Sequence, residues 1–200
     1  MWNGCRRYAA VVVLILIGGT ALAGDRDHDG GFFLRLSAGA GTARTEFDDG
    51  MSRLEMSGTA GDINFAIGGI ISRNLAIHAT LLGWSLTDPD AEVNGMSGTV
   101  DGDVTLSGIG GGATYYFMPV NMYLSGSVGA ATITVDTDDF DGETDTGFIY
   151  DLSVGKEWFV SNSWGLGVAL GFIYHSIPEK DMDENWSGPA YSVRFSATLN

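Results

Sequence analysis

The chain has 200 residues, with 25 acidic side chains against 10 basic ones and a formal charge of −15. Such a surface repels nucleic acid and other polyanions, so a function of reading phosphate backbones is excluded. Its 44% hydrophobic and 11% aromatic content is too high for a disordered acidic polymer, and the length suits one domain.

Residues 1–23 read as a secretory leader. Arg6 and Arg7 precede an apolar run from Tyr8 to Ile17, and Ala21-Leu22-Ala23 forms a small-x-small cleavage site. The run is too short for a membrane-spanning helix. The exported domain is therefore expected over 24–200. Cys5, the single cysteine, leaves with the leader, so no disulfide framework is expected. Both leader arginines also leave and no acid does, which makes the remainder more acidic still. Next comes "DRDHDG", which puts Asp25, Asp27, Asp29 and Gly30 at the first, third, fifth and sixth positions of a calcium-hand loop. The twelfth position, where a bidentate Glu is needed, is Leu36. A flexible acidic N-terminus is the simpler expectation.

No later segment sustains a 3.6-residue apolar period, whereas period-two alternation recurs throughout. In "FFLRLSAGAG", Phe32, Leu34, Leu36, Ala38 and Ala40 share one face and Phe33, Arg35, Ser37, Gly39 and Gly41 the other. Six further strands are predicted near 62–71, 75–84, 103–117, 122–133, 148–159 and 164–175, and the glycine run 110–112 blurs the parity of the third and fourth. The last, "AYSVRFSATLN", sets Tyr191, Val193, Phe195, Ala197 and Leu199 against Ala190, Ser192, Arg194, Ser196 and Thr198.

Short connections (Ser72 to Asn74, Met118 to Asn121, Val160 to Ser163) alternate with long ones near 43–61, 85–102, 134–147 and 176–188. Eight strands joined this way predict an all-β fold: an eight-stranded antiparallel up-and-down transmembrane β-barrel with short periplasmic turns and long acidic extracellular loops. A soluble barrel of the lipocalin kind alternates too, with its apolar face inward. Against it, Gly165, Gly167, Ala169 and Gly171 occupy the polar face, where glycine weakens a solvated strand but suits a crowded lumen. Aromatics also gather at the strand ends, as membrane interfaces select. Tyr115, Tyr116, Phe117, Tyr123, Trp158, Phe159 and Trp164 lie by the turns. Trp84, Phe148, Tyr150, Tyr174, Trp186 and Tyr191 lie toward the loops.

Two stretches, "GIGGGATYYFMPVNMYLSGSVG" (108–129) and "VGKEWFVSNSWGLGVALGF" (154–172), each read strand, aromatic end, tight turn, strand. In this the chain resembles the outer-membrane β-barrel superfamily of small OmpA/OmpX-type proteins. The resemblance implies outer-membrane lipids, lipopolysaccharide and the outer-membrane assembly machinery as partners, and a monomer in the cell outer membrane. It carries no active site. One departure is the terminus, Leu199-Asn200, where the superfamily usually has an aromatic residue; Phe195 is the nearest aromatic on the apolar face.

The third long connection, "VDTDDFDGETDTG", holds Asp136, Asp138, Asp139, Asp141, Glu143 and Asp145. Aligned as a calcium hand it puts Thr137 first and Phe148 twelfth, so it is not one. Weak, adaptable Ca²⁺ or Mg²⁺ binding by such loops, recognition of an extracellular ligand, and plain solvation are the readings left open. The other long connections are acidic too: Glu46, Asp48, Asp49 and Glu55; Asp88, Asp90, Glu92 and Asp101; Glu179, Asp181, Asp183 and Glu184 beside Lys180.

The polar faces carry Arg35, Asp62, His78, Asp151, Glu157 and Arg194. An eight-stranded barrel is just wide enough for its own side chains, so these charges must pair. Arg35 with Glu157 and Arg194 with Asp151 are the expected pairs, either as a fixed plug or as a gate whose re-pairing opens a narrow path. His175-Ser176 followed by Glu179 invites comparison with lipid A deacylases, whose histidine and serine cooperate. Adjacent strand residues point to opposite faces, however, and a general base must reach its serine. The expectation is thus a non-enzymatic barrel of structural or surface-interaction role. A narrow gated pore or small-solute conduit, with wall gaps at the glycine run 108–112, is the alternative, and a lipid A-modifying enzyme the weaker one.

Overall fold

The computed structural model describes residues 28, 31–137, 141–180, 182 and 184–199. The leader, the acids Asp25, Asp27 and Asp29 with Gly30, and Asp138, Asp139, Asp181 and Asp183 lie outside the described residues.

Among the described residues eleven strands form one sheet: β1 (Gly31–Asp48), β2 (Arg53–Ser72), β3 (Leu75–Thr87), β4 (Asp90–Val93), β5 (Met96–Thr99), β6 (Gly102–Phe117), β7 (Met122–Thr137), β8 (Asp141–Glu143), β9 (Gly147–Phe159), β10 (Trp164–Pro178) and β11 (Asn185–Leu199). Eight of them close a barrel. Each pairs antiparallel with its neighbours in the order β1, β2, β3, β6, β7, β9, β10, β11, and β11 pairs back onto β1 from Leu34↔Leu199 to Glu46↔Ser187. Closure leaves no free sheet edge among these eight. The remaining three are excursions at the loop end. The β4–β5 hairpin extends β2 through Leu54↔Val93, and β8 folds back onto β7.

The barrel strands lie where the alternation placed them, but they run on past the expected limits. Of the connection expected over 43–61, only residues 49–52 remain outside strands. The Asp48 carboxylate accepts the Gly50 N–H at 2.8 Å, and the Asp49 carboxylate accepts those of Met51 and Ser52 at 2.8 and 2.6 Å. These bonds, from Ser52 first and Met51 next, hold the Asp49 carboxyl below its ordinary pKa. Across the same hairpin Arg44 meets Glu46 and Glu55 at 2.9 and 2.7 Å, and Arg53 meets Glu46 at 2.7 Å. Much of the expected loop acid thus lies on strand faces.

The luminal face keeps one parity along each strand, and a change in the parity of the apolar residues organises the interior. On β1 the turn-side luminal residues are Arg35, Ser37, Gly39 and Gly41, with Leu34, Leu36, Ala38 and Ala40 outside. From Ala43 onward the luminal side becomes Ala43, Thr45 and Phe47, and the outside becomes Thr42, Arg44 and Glu46. β3 makes the same switch between Thr80 and Leu82, β7 between Gly129 and Ala131, and β10 between Gly171 and Ile173. The turn-side half is apolar outside, as a bilayer demands, and holds the charged side chains inside beside a smaller apolar cluster that includes Phe33, Ile70, Tyr116 and Tyr123. The loop-side half has an apolar core and a polar coat, as water demands.

This corrects several aromatic placements. Tyr115 and Phe117 lie outside at the turn end, edge to face at 5.0 Å. Phe148, Tyr150, Phe172, Tyr174 and Tyr191 form a connected outer patch, with centroids 5.2 to 6.0 Å apart. Tyr116, Tyr123, Trp84 and Trp186, expected in the belts, are instead buried in the lumen. The glycine run opens no gap, since Gly110 pairs with both Thr80 and Gly129 and the ladders continue on either side. At Gly112 a Cβ would stand 2.8 Å from His78 Cε1, so glycine there makes room for a luminal ring.

Candidate functional site

Three layers fill the lumen from turn end to loop end. The first is a cork. His28 is buried, its ring stacked on Tyr116 at 3.7 Å and 5.4 Å from that of Phe159. Its Nε2 is 2.9 Å from Asn121 Oδ1, its N–H donates to Asn74 Oδ1, and its carbonyl accepts the Asn74 N–H. Asn74 and Asn121 adopt φ values of 64° and 52° in the tight turns, a left-handed conformation that asparagine tolerates. The segment expected to be a flexible N-terminus is therefore anchored at His28. The two asparagines serve both as turn formers and as its receptors.

The second layer is charged. The Arg194 guanidinium donates to both Asp62 oxygens, Nε–Oδ1 at 2.6 Å and Nη2–Oδ2 at 2.9 Å, and Nη2 lies 2.6 Å from Asp151 Oδ2. Asn64 Nδ2 adds a longer contact to Asp151 at 3.4 Å. All four side chains are buried, so a single cation stands between two carboxylates. The other expected pair, Arg35 with Glu157, does not form. Arg35 donates to Ser125 Oγ at 2.7 Å and Thr114 Oγ1 at 3.2 Å, and lies 4.6 Å from the Tyr123 ring centroid. Glu157 Oε1 accepts from Thr198 at 2.7 Å and from Tyr116 at 3.3 Å. Hydroxyls meet Arg35 and Glu157 separately, although Arg35 Nη1 and Glu157 Oε2 are buried with no hydrogen-bond partner, and two tyrosines share the space. His78 completes it, bonded to Thr80 at 2.8 Å and Thr114 at 3.1 Å.

The third layer is the apolar core of the loop-side half. It is built from Met56, Leu82, Trp84, Leu86, Val104, Leu106, Ile133, Ile149, Ile173, Ile177 and Trp186, with Phe47, Leu54 and Val135 packed against it. His175 sits among them, Nε2 2.9 Å from Thr45 Oγ1 and its ring 5.6 Å from that of Trp84. His175 is fully buried and faces the lumen, whereas Ser176 lies on the outer face, so the two cannot act as base and nucleophile. Glu179 instead accepts the Trp186 indole N–H at 2.6 Å.

The barrel superposes on solved structures at low sequence identity. Neisserial surface protein A (NspA) matches at a TM-score of 0.59 and 15% identity, over 85% of this chain and 97% of that one. Ail, the attachment invasion locus protein of Yersinia pestis, solved with the heparin analogue sucrose octasulfate, matches at 0.50 and 11%, over 84% and 99%. The fold is that of the small eight-stranded outer-membrane β-barrels. No family model matches the sequence of this barrel, and no curated protein does.

The described acids of the third connection lie on or beside β7 and β8. Asp136, next to last in β7, pairs with Asp141 on β8, Thr134 pairs with Glu143, and Asp145 donates its N–H to the Pro178 carbonyl. Asp138 and Asp139 lie outside the described residues. Among the described residues no three acidic, histidine or cysteine side chains are grouped to hold a metal ion. Sequence reasoning missed the apolar interior of the loop-side half. Its signal was present in Ala43-x-Thr45-x-Phe47 and Leu54-x-Met56, where the alternation continues with inverted parity.

Proposed function

We propose that this protein is a non-catalytic integral protein of the outer membrane. Its turn-side half spans the bilayer, and its loop-side half stands outside the cell as a rigid β-head for surface interaction. The parity switch carries this reading. Apolar outer faces such as Leu36, Ile63, Leu124, Phe195 and Leu166 suit acyl chains, and the Thr, Ser, Arg and acidic faces above them suit water. A closed, ion-paired and apolar-filled lumen supports an interaction role over conduction. Coarse agreement in fold with NspA and Ail is compatible with it but names no ligand for this chain.

Met51, 91% exposed at the tip of the β1–β2 hairpin, provides the test. With Cys5 in the leader, Met51→Cys supplies a single reporter thiol in the exported chain. Intact cells treated with a membrane-impermeant maleimide should label it without lysis. Labelling that requires lysis would place the head on the other side and overturn the reading. Folded protein in a planar bilayer should be electrically silent, and discrete openings would replace the interaction role with the gated pore.

A further inference from the structure

The sheet keeps an open edge on the head. β5 ends the strand order and, among the described residues, pairs only with β4, through Val93↔Met96, Glu92↔Ser97, Ala91↔Gly98 and Asp90↔Thr99. All four of its residues are exposed. Asn94 and Gly95 join the two strands with φ values of 50° and 85°, as a two-residue type I′ turn requires. Such a turn makes Val93 and Met96 a hydrogen-bonded pair, and bonded and unbonded pairs then alternate. The Val100 N–H bond to the Pro89 carbonyl keeps that alternation, and so does the Asn94 N–H bond to the Arg53 carbonyl on the far side of β4, both at 3.0 Å. The N–H and C=O groups of Ser97 and Thr99 therefore point away from β4, along the open edge. β5 carries neither a charge nor a proline, two devices that block pairing at such edges. The two faces of the hairpin differ. Ser97 and Thr99 share the outer face with Glu92 and Asp90, which continue the outer face of β2 at Glu55 and Ser57. Met96 and Val93, 74% and 40% exposed, lie on the other face, on the side of Leu54 and Met56. Arg44 holds Glu55, but Glu92 directly opposite it, and Asp90 beyond, form no ion pair among the described residues.

We infer that the β5 edge docks an extended peptide segment of a partner protein, in which basic and apolar residues alternate, as one further antiparallel strand. The free groups of Ser97 and Thr99 supply its main-chain hydrogen bonds. Its basic residues fall on the outer face beside Ser97 and Thr99. Glu92 and Asp90 lie two strand spacings away, about 10 Å, which a long basic side chain and a carboxylate span between them. There the like charges of Glu55 and Glu92 stand directly opposite, so an arriving cation relieves a repulsion. Its apolar residues fall on the other face, beside Met96, and remove that side chain from water. A second copy of this chain fits worse, because it would bring its own Asp90 and Glu92 to the same junction. The inference deepens the surface-interaction reading and rests on it for biological meaning, but binding to purified protein is measured independently of which way the head faces.

The test uses the folded full-length exported chain in phosphatidylcholine nanodiscs, titrated calorimetrically with the end-blocked peptide Lys-Val-Lys-Val-Lys-Val-Lys, with empty nanodiscs as the blank. One saturable site per barrel is expected. In an antiparallel added strand the lysine amides face Ser97 and Thr99, and the valine amides face away. N-methylation of the lysine amides should therefore abolish binding, and N-methylation of the valine amides should leave it. The same peptide with Glu in place of Lys should not bind. Ser97→Pro removes an amide that the hairpin ladder does not use, so it folds; it should weaken binding about tenfold or more. Glu92→Gln should weaken it about threefold. An equal effect of the two methylations, equal binding of the Lys and Glu peptides, an unchanged affinity in Ser97→Pro, or heats equal to those of empty nanodiscs would each overturn the inference. So would a dimer of barrels that Ser97→Pro dissolves, since it would assign the edge to a second copy. None of these results bears on Met51→Cys labelling, so failure of the edge site and failure of the surface reading are separable.

Discussion

The two halves of this barrel solve opposite solvent problems with the same eight strands. In the turn-side half, apolar side chains face outward and the lumen holds Arg35, Asp62, His78, Asp151, Glu157 and Arg194. In the loop-side half, the lumen holds Trp84, Ile133, Ile173 and Trp186, while Arg44, Glu46, Glu55 and Thr134 face outward. The difference teaches that a barrel strand has no intrinsic inside. The medium beyond its wall decides which face is apolar, and the pattern reverses where the medium changes.

The comparison breaks most readily at Arg194. Arg194→Met leaves Asp62 and Asp151 buried with no cation, and should cost about 3–5 kcal/mol, read as a lower urea midpoint for unfolding from lipid vesicles. A change near zero would mean that the carboxylates take up protons and that the charged layer is dispensable. In the other half, Trp84→Ala should cost a similar ~3–5 kcal/mol by leaving a cavity in the apolar core. The contrast itself is tested by placing one charge outside each half. Ile63→Arg, on an outward position 66% exposed, should cost about 2–4 kcal/mol in a bilayer. Thr134→Arg, outward above the switch, should change stability by no more than about 0.5 kcal/mol. Equal costs at the two positions would remove the parity argument.

The smallest effect belongs to the outer ion cluster on the head. Burial pushes the Glu46 carboxyl up, but hydrogen bonds from Arg44 and Arg53 outweigh it and hold the group below its ordinary pKa. A depressed carboxylate contributes stability above its unfolded pKa and loses it as pH falls through the folded one. The gap between wild type and Arg53→Ala should therefore be small at neutral pH, because both partners are screened by solvent. It should close below about pH 4 and shrink in high salt. A gap that persists in acid would assign the Arg53 effect to packing.

The Arg194 layer was partly legible because pairing is forced. A cation on a polar strand face in a narrow barrel has to meet a carboxylate, and Asp151 lay at the matching height. Asp62 as the bidentate partner was not legible. β1 lies between β11 and β2, and the reach of Arg194 past it depends on barrel closure and on Gly39. There a Cβ would run into the Val193 carbonyl and stand 2.9 Å from the Arg194 Cα. The Arg35–Glu157 pairing failed because charge counting ignores hydroxyls. Thr114 and Ser125 accept from Arg35 beside the Tyr123 ring, and Thr198 and Tyr116 donate to Glu157, so each group is partnered separately.

By itself the sequence determined the number of barrel strands, their antiparallel order and the alternation of short and long connections, because period two and turn chemistry are local properties. It also determined that the loop end is acidic. Tertiary structure alone decided that the long connections are mostly strand, that Trp84 and Trp186 face inward, and that His28 corks the turn end. Each of these depends on which side of a closed wall a residue meets and at what height. Period-two alternation reads the same for either assignment of inside and outside, so only closure of the barrel fixes them.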